Sequence, residues 1–556
     1  MCGVVGALVF SNSDFRVTPP YLETMRDTMM HRGPDGAGIW ISDNGRIGLG
    51  HRRLAIIDLS EAAAQPMASH DGRFRLSFNG EIYNHAEIRA ELKQLYPERP
   101  WQSNHSDTEV ILHAFHAWGI DCLHKFRGMF AFALWDNRER QLWLVRDRIG
   151  IKPLYYSRLN GRLTFASEIK ALLADPQQKR AVNERSFYDY LSFITTPAPH
   201  TLFDGIKKIP AGCWLRIDQD GRITENRYWE VWDHTDPMTA LSDDEIAERL
   251  LAELEESVAL RKVSDVPVGV FLSGGIDSSV NAALFSRGES PESINTFSIG
   301  YEQTYDSYQN ELHFAKMMAD RVGANYHEHR LVLDDLLDFL PTMVHLQDEP
   351  IADPVCMPVY YVSKLARDNG TIVCQVGEGA DELFWGYQGW KDNMAQQRRL
   401  DRIPRFLQHL VVSGLTTLGK VRSHPYEHMR RSMHDQPIFW SSNDAFTEKQ
   451  KQTILSPTMR KRFAHYTSWE SMIPIRRRFL EKSWQPDTLS WMSYSDLNLR
   501  LPELLLMRVD KMSMGVSLEG RVPFLDHKFV ELAMSIPTAV KTRDGELKAI
   551  LKRSID

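Results

Sequence analysis

Cysteine is scarce in this chain: Cys2, Cys122, Cys213, Cys356 and Cys374 are the only five among 556 residues. An odd, scattered set with no C-x-x-C pair excludes a disulfide framework and argues against a structural zinc site. Long apolar runs are also missing. No stretch reaches the ~18–20 apolar residues of a membrane span, and the nearest, 409–421, is interrupted by Ser413, Gly414, Thr416, Thr417 and Gly419. The start, Met1-Cys2-Gly3-Val4-Val5-Gly6, has no basic leader, and Asp14 and Arg16 soon follow, which argues against a secretory signal. A reducing cytoplasm is the expected compartment. There is no excess of positive charge: the formal net charge of −7 leaves no electrostatic footprint for nucleic acid, so acidic substrates need local basic pockets. Internal repeats and low-complexity tracts are absent as well. What remains is an ordinary soluble composition, 43% hydrophobic and 25% charged. Its length exceeds the roughly 250–300 residues at which single cores stop growing, which predicts two domains.

The first two hundred residues read as short strands with turn chemistry between them. Strands are predicted at 4–10, 54–58, 75–78, 129–135, 141–145 and 163–166, with turns at Asp43-Asn44-Gly45, Asp71-Gly72 and Asn160-Gly161. Helices are predicted over 21–30 and 108–118. This is an α+β domain over 1–217, built around antiparallel sheets. A polar stretch, 218–241, reads as a linker. From 242 to 556 the pattern changes. Ser242 and Glu245 form a capping box, and Ile246, Leu250, Leu251, Leu254 and Val258 follow at helical spacing. The apolar runs 266–272 and 371–376 read as buried strands, each ending in a glycine-rich loop. Strands alternating with helices predict an α/β, doubly wound parallel sheet.

Removal of Met1 would leave Cys2 carrying both a thiol and a free α-amine. Ordinary pKa values of about 8.5 and about 7.7–8.0 let that amine accept the thiol proton near neutrality without a histidine. The neighbouring Gly-Val-Val-Gly pins the terminus as a strand and leaves space around it. In Asn79-Gly80-Glu81-Ile82-Tyr83-Asn84, the Asn79 amide and the Gly80 backbone N–H could form a two-donor oxyanion hole, although Asn-Gly is equally a hairpin-turn signal. Arg53 offers a planar fork for a carboxylate; the adjacent Arg52 reads as a solvated strand-edge residue. Asp107 opens Ser106-Asp107-Thr108-Glu109, itself a capping-box pattern, so it can face the helix dipole and a substrate ammonium together.

Cys2-Gly3, His31-Arg32-Gly33-Pro34-Asp35, Arg53-Leu54-Ala55-Ile56-Ile57-Asp58, Asn79–Asn84 and Ser106–Glu109 together resemble the class II glutamine amidotransferase domain, in that family's order. The resemblance implies an N-terminal-nucleophile fold, an αββα sandwich. By it Cys2 attacks the glutamine side-chain amide, giving a thioester and ammonia, with Asn79 and Gly80 in the oxyanion hole. Arg53, Leu54, Ala55, Ile56, Ile57, Glu81 and Asp107 would then hold the glutamine.

In the second half, Ser273-Gly274-Gly275-Ile276-Asp277-Ser278-Ser279 follows a strand and opens a helix. Its glycines let backbone N–H groups converge at a positive helix end, the arrangement that binds polyphosphate. It contains no lysine, so it is not the P-loop nucleotide motif. Asp277 suits Mg²⁺, a hard cation that prefers carboxylate and phosphate oxygens. The second loop, Gly377-Glu378-Gly379-Ala380-Asp381-Glu382, should face the same cleft, since ligands bind beyond the carboxyl ends of such strands. Asp277 and Asp381 could therefore share magnesium, Glu378 is a candidate base, and Glu382 reads as a solvated acid at a helix start.

This half resembles the adenylating domain of the asparagine synthetase family. The resemblance rests on the Ser273–Ser279 loop, Phe297-Ser298-Ile299-Gly300, Gly377–Glu382 and Ser517-Leu518-Glu519-Gly520-Arg521-Val522-Pro523-Phe524-Leu525-Asp526. It implies ATP as co-substrate. Leu272, Ile299, Val376 and Gly377 would line the nucleoside pocket, Glu378 would stand where an acyl-adenylate forms, and Lys548 would neutralise pyrophosphate or a tetrahedral intermediate. Three departures stand out. Trp385 occupies a usual glycine position, Gly520 a usual alanine position, and the chain stops at Asp556, shortly after Lys548, where members normally continue. The expected reaction is amidation of a carboxylate, most simply aspartate, with glutamine as nitrogen donor and AMP, pyrophosphate and glutamate as products. Alternatives are another acceptor, such as a sugar uronic acid of a surface polysaccharide, or a catalytically silent nucleotide-binding protein. Differences in acceptor should lie near Asp348–Pro354 and Trp385. Partners are small molecules, with no nucleic acid or membrane; the oligomeric state is open, a homodimer being one candidate.

Overall fold

The structure is a computed structural model that describes residues 2–303 and 311–555. Met1, whose removal the cysteine chemistry requires, and the chain end at Asp556 lie outside the described residues.

Twelve strands build the N-terminal domain: Gly3–Val9 (β1), Gly36–Ile41 (β2), Ile47–Arg53 (β3), Met67–Ala68 (β4), Phe74–Ile82 (β5), Gly128–Asp136 (β6), Gln141–Arg146 (β7), Tyr155–Leu159 (β8), Arg162–Ala166 (β9), Ile206–Lys208 (β10), Cys213–Asp218 (β11) and Ile223–Arg227 (β12). They form two antiparallel sheets, ordered β10-β8-β9-β1-β3-β2 and β12-β11-β7-β6-β5-β4. Side chains alternate across a strand, so each strand serves two layers. In β1, Val4 and Leu8 face the second sheet and meet Ala131, Trp135 and Leu144, whereas Val5, Ala7 and Val9 pack on Leu22 and Met25 of the helix Pro19–Asp27. In β5, Phe74, Leu76, Phe78 and Ile82 pack under Val110, Ile111 and Ala114 of the helix Asp107–Trp118. The result is the αββα sandwich of the N-terminal-nucleophile fold. The same alternation turns Ser77, Asn79 and Glu81 inward, where the Ser77 hydroxyl donates to Gly50 O at 3.1 Å.

Three local expectations are corrected. Residues 54–58 are not a strand. Their backbone groups are satisfied by side chains and by the second domain instead: Ala55 N–H donates to Asp35 Oδ2 (2.9 Å), Asp58 N–H to Asp265 Oδ2 (2.7 Å), and Ile56 O accepts from Asp265 N–H (2.9 Å). The Ser106 capping box does not form, because Glu109 turns its carboxylate onto Gln102 N–H, Ser103 N–H and the Ser103 hydroxyl. Asn79-Gly80 is no turn either; it lies inside β5, opposite Phe130 and Ala131 of β6. Segment 218–241 carries β12, and Trp229 within it donates to Glu531 Oε1 at 2.7 Å.

The C-terminal domain is built on a five-stranded, fully parallel sheet: Val268–Phe271 (β13), Asn295–Tyr301 (β14), Asn325–Leu331 (β15), Val373–Gln375 (β16) and Glu519–Arg521 (β17), ordered β15-β14-β13-β16-β17. The helix Asp243–Leu260 opens this domain with its capping box formed. Strand order runs outward from β13 one way and from β16 the other, so the topological switch falls between these two strands. Ligands of doubly wound sheets sit beyond the strand ends at that point, and both glycine-rich loops emerge there.

Candidate active sites

Cys2 stands immediately before β1 and is buried, which pushes its thiol above the ordinary value. Its backbone N–H donates to Asn79 Oδ1 at 2.9 Å, and its Sγ lies 3.9 Å from Leu54 O. With Oδ1 so engaged, Asn79 Nδ2 is a buried donor with no protein partner. Such a donor is costly to bury unpaired and marks a place for an acceptor. Next to it, Gly80 has φ +153°, and a Cβ there would lie 2.0 Å from Met129 O, so no other residue fits this point of β5.

Glu81 and Asp107 are buried on the same side. Burial raises both carboxyls; Asp107 adds to the rise at Glu81, whose pKa lies well above the carboxylate range. Asp107 accepts from Ile82 N–H at 3.0 Å, and Arg521 of the second domain comes within 3.8 Å of Glu81. Arg53, at the end of β3, spends its guanidinium on the carbonyls of Asp58 and Ser60. It thereby shapes the 54–60 stretch, in which Leu54, Ile56 and Ile57 are buried and Ala55 is half-buried. Arg52 is not a solvated edge residue: it pairs with Asp27 at 2.7 Å.

The second centre gathers at the β13/β16 switch. Gly274 takes φ +90°, where a Cβ would strike Glu311 O at 2.6 Å, and the helix Ile276–Ser286 begins directly after it. Ser273 N–H and the Ser273 hydroxyl both engage Ser278 Oγ, at 3.1 and 3.0 Å, and Ser278 donates to Gly275 O, which fixes the loop; Ser279 N–H bonds back to Gly275 O. A Cβ on Gly377 would lie 3.0 Å from Ser278 N, so the two loops abut. Leu272 follows β13 and Ile299 lies within β14, with Leu272 N–H donating to Phe297 O, and Val376 follows β16, its N–H donating to Arg521 O at 2.7 Å.

Lys548 Nζ ties the loops together, at 2.7 Å from Asp277 Oδ2 and 2.6 Å from Asp381 Oδ1. Burial pushes the Asp277 carboxyl up to about 6, while Lys548 pulls against that rise. Two carboxylates thus converge on one ammonium, and carboxylate oxygens are the donor type a hard divalent ion prefers. Glu378 is gripped by Arg508 at 2.5 Å, and Arg508 also holds Asp353 at 2.7 Å.

Glu382 overturns its expectation. It is buried, accepts from the Tyr387 hydroxyl at 2.6 Å and from Arg500 at 3.2 Å, and burial lifts it to about 7. Sequence reasoning also missed Arg508. Its one signal was a charged Arg508-Val509-Asp510-Lys511 run inside an otherwise apolar helix. The departure at Gly520 has a steric reason, since a methyl there would sit 2.9 Å from Val509 Cγ1.

An N-terminal-nucleophile sandwich with its cysteine at the second position, joined to a parallel sheet with a phosphate-type loop at the switch point, defines a two-domain, glutamine-dependent amide-forming ligase. The glutamine amidotransferase domain family matches residues 1–229, and the asparagine synthase family matches 249–556. Asparagine synthetase [glutamine-hydrolyzing] 1 of Bacillus subtilis is 33% identical over all of this chain and 84% of its own length. A putative asparagine synthetase [glutamine-hydrolyzing] of Mycobacterium bovis is 34% identical over 95% of this chain and 80% of its own. Amidase chry2 of Gibberella zeae is 29% identical over 96% of this chain and 81% of its own. The chain belongs to the asparagine synthetase family. Among the described residues, no helix is long and apolar enough to cross a membrane.

Proposed function

We propose that the chain makes an amide from a carboxylate in two coupled half-reactions, with aspartate the first acceptor to consider and asparagine, AMP, pyrophosphate and glutamate the products. The glutaminase half is assigned to 1–217 and the adenylating half to 242–556. In the first half, Cys2 is the nucleophile once Met1 is removed, and its own amine takes the thiol proton. Attack on the glutamine amide carbon pushes charge onto the carbonyl oxygen, to which Asn79 Nδ2–H and Gly80 N–H donate a pair of hydrogen bonds. The observation that carries this half is the buried, unpaired Asn79 Nδ2 beside Cys2. Collapse releases ammonia and leaves a thioester, which water hydrolyses to glutamate. Glu81 and Asp107 receive the glutamine ammonium, and the 53–57 stretch encloses the rest.

In the second half, Ser273–Ser279 cradles the ATP phosphates, with Leu272, Ile299, Val376 and Gly377 around the nucleoside. Asp277 and Asp381 would hold Mg²⁺, which when bound offsets phosphate charge. Lys548 draws negative charge off the pyrophosphate as the acceptor carboxylate displaces it from the α-phosphorus. Ammonia then attacks the acyl carbon and AMP leaves; Glu378 takes the surplus proton. Ammonia passes internally, since in bulk water it would be protonated. The route is supported by β17, which pairs with β16 ahead of Glu378 and reaches Glu81 through Arg521. Cys2→Ala is expected to abolish glutamine-dependent synthesis and keep ammonia-dependent synthesis, read by pyrophosphate release and product assay. Continued use of glutamine by that variant would overturn the assignment.

A second acceptor class is favoured by one observation. Trp385, where the family usually has glycine, is buried with φ +56°, one residue from Gly386, which lies directly against Asp381 and Lys548. A bulky residue in the left-handed region is held there at a cost of roughly 1–3 kcal/mol, and such strain concentrates at functional sites.

A further inference from the structure

The longest near-apolar run of the sequence, 409–421, belongs to a helix that the chemistry above does not use, Arg405–Thr417. Its inward side is narrow. Gln408 is buried, and Val412 and Leu415 are half-buried at i+4 and i+7 on the same face, where the helix packs on His424–Met433. The Gln408 amide donates to Leu400 O and Ile403 O, which moors the first turn to the end of the helix Gln388–Asp401. The opposite side is apolar and faces solvent. Phe406, Leu410, Gly414 and Leu418 recur every four residues, with Leu407 and Val411 beside them; Phe406, Leu410 and Leu418 are 65%, 64% and 70% exposed. Single exposed apolar side chains are ordinary, but five on one helical face form a patch that calls for a partner. Both ends of that face are basic. Arg398, Arg399 and Arg402 precede it, Arg405 opens it, and Lys420 and Arg422 follow it, all six exposed, with Asp401 the one acid of 398–422. Only Arg405 has an acidic ion-pair partner among the described residues, Asp435. Six cations against one acid give this short segment a net +5 in a chain whose total is −7.

We infer that this helix is a docking face for an anionic phospholipid surface. An apolar stripe flanked by arginine and lysine is the pattern by which a helix lies in the membrane–water interface, with its apolar side chains at the acyl boundary and its cations among the headgroups. Thirteen residues make a helix about 20 Å long, enough to lie flat and too short to cross. The fold holds the inward face, so a partner meets one side of a cylinder, as a bilayer surface does, and does not wrap it. A second copy seated on the same face would set two +5 segments against each other, which like-charge repulsion opposes. The expectation of no membrane partner rested on apolar runs of spanning length, and a surface contact needs none. The inference is independent of which carboxylate is amidated.

The test is co-sedimentation of the full chain with vesicles of phosphatidylcholine alone and of phosphatidylcholine containing about one-third phosphatidylglycerol, at low and high salt. The parent should partition onto the anionic vesicles at least about tenfold more strongly than onto the neutral ones, and salt should weaken that binding. Phe406→Ser combined with Leu410→Ser removes two apolar anchors and should lower the partition at least about tenfold. Arg398→Gln, Arg399→Gln and Arg402→Gln together should lower it by about tenfold or more and flatten its salt dependence. All five side chains are exposed, so glutaminase activity and the thermal midpoint should stay at parental values, which separates lost docking from lost folding. A parent that leaves the anionic vesicles unbound, or binds both kinds equally, overturns the inference, and so does vesicle binding unchanged in both variants. A parent that ignores vesicles and sediments as a dimer, with the serine variant a monomer, overturns it in favour of a second copy.

Discussion

Glu81 and Asp107 are buried acids, and in the glutaminase half proposed above they receive the substrate ammonium. Glu81 and Asp107 are raised because burial disfavours their charged forms and Asp107 adds to the rise at Glu81. An arriving ammonium reverses that balance, since a nearby cation favours the ionised form. Binding is therefore linked to pH: at low pH the acids are protonated and must ionise to hold the ammonium, so KM for glutamine should fall as pH rises through their raised pKa. Because the two titrate together, the profile reports the pair and not either residue. Asp107→Asn removes one charge and should raise KM for glutamine by about tenfold or more, with kcat nearly unchanged, the signature of lost ground-state and transition-state binding alike. Steady-state glutaminase kinetics across pH check this. A variant with an unaltered KM and pH profile would show that Asp107 serves only Ile82 N–H, the bond it makes at 3.0 Å.

Strands and loops carry these residues to one place, and here sequence and structure can be compared. Cys2, Asn79-Gly80 and the two glycine-rich loops were legible because their chemistry is written in adjacent residues. Period-two alternation along β5 explains why Asn79 and Glu81 turn to one face while Phe78 and Ile82 turn to the other, under the helix Asp107–Trp118. Residues 54–58 were misread as a strand, since apolar, β-branched residues suggest one; the partners that hold them irregular, Asp35 and Asp265, are far away in sequence. Glu382 was misread for the same reason, its partner Arg500 being 118 residues distant. Where two loops abut, a single methyl should be felt. Gly377→Ala places a Cβ 3.0 Å from Ser278 N, tight enough to push the second loop off the first. Overpacking of that kind costs about 1–3 kcal/mol, and on the phosphate side it should raise KM for ATP by about tenfold. Glutaminase activity, housed in the other domain, should be unchanged. Equal ATP kinetics in variant and parent would mean the loops are not in contact when nucleotide binds.

At the scale of the whole molecule, the two domains are locked by buried ion pairs with a consistent polarity. Basic side chains come mainly from the N-terminal domain and acidic ones from the C-terminal: Arg32 with Asp510 at 2.8 Å, Lys170 with Asp348 at 3.0 Å, Lys208 with Glu349 and Glu503 at 3.1 and 2.9 Å, and Arg127 with Asp526 at 2.8 Å. Arg32 also donates to Cys2 O at 3.0 Å, so the docked interface reaches the first centre directly. Asp348 is its most heavily engaged acid. In a left-handed conformation, φ +65°, it accepts from Ile169 N–H, Lys170 N–H and Lys511 Nζ. Breaking a buried pair by removing one partner leaves a charge uncompensated and costs about 3–5 kcal/mol. Asp348→Asn keeps the size of the side chain but strands Lys511 and leaves Lys170 with Glu168 alone, so the domains should separate at a lower temperature in a thermal scan. The pH dependence has a definite sign. Lys511 and Lys170 hold the Asp348 carboxyl below the usual range, as Arg32 and Lys152 do for Asp510. Stability from these depressed acids is complete above their unfolded pKa, about 3.9 for aspartate, and is lost as pH falls through the lower folded values. Acidification below about pH 3.9 should therefore progressively weaken docking in the parent protein, and Asp348→Asn should flatten that acid limb by removing one linked proton. An acid limb of the same steepness in both proteins would place the pH-sensitive contact elsewhere than at Asp348.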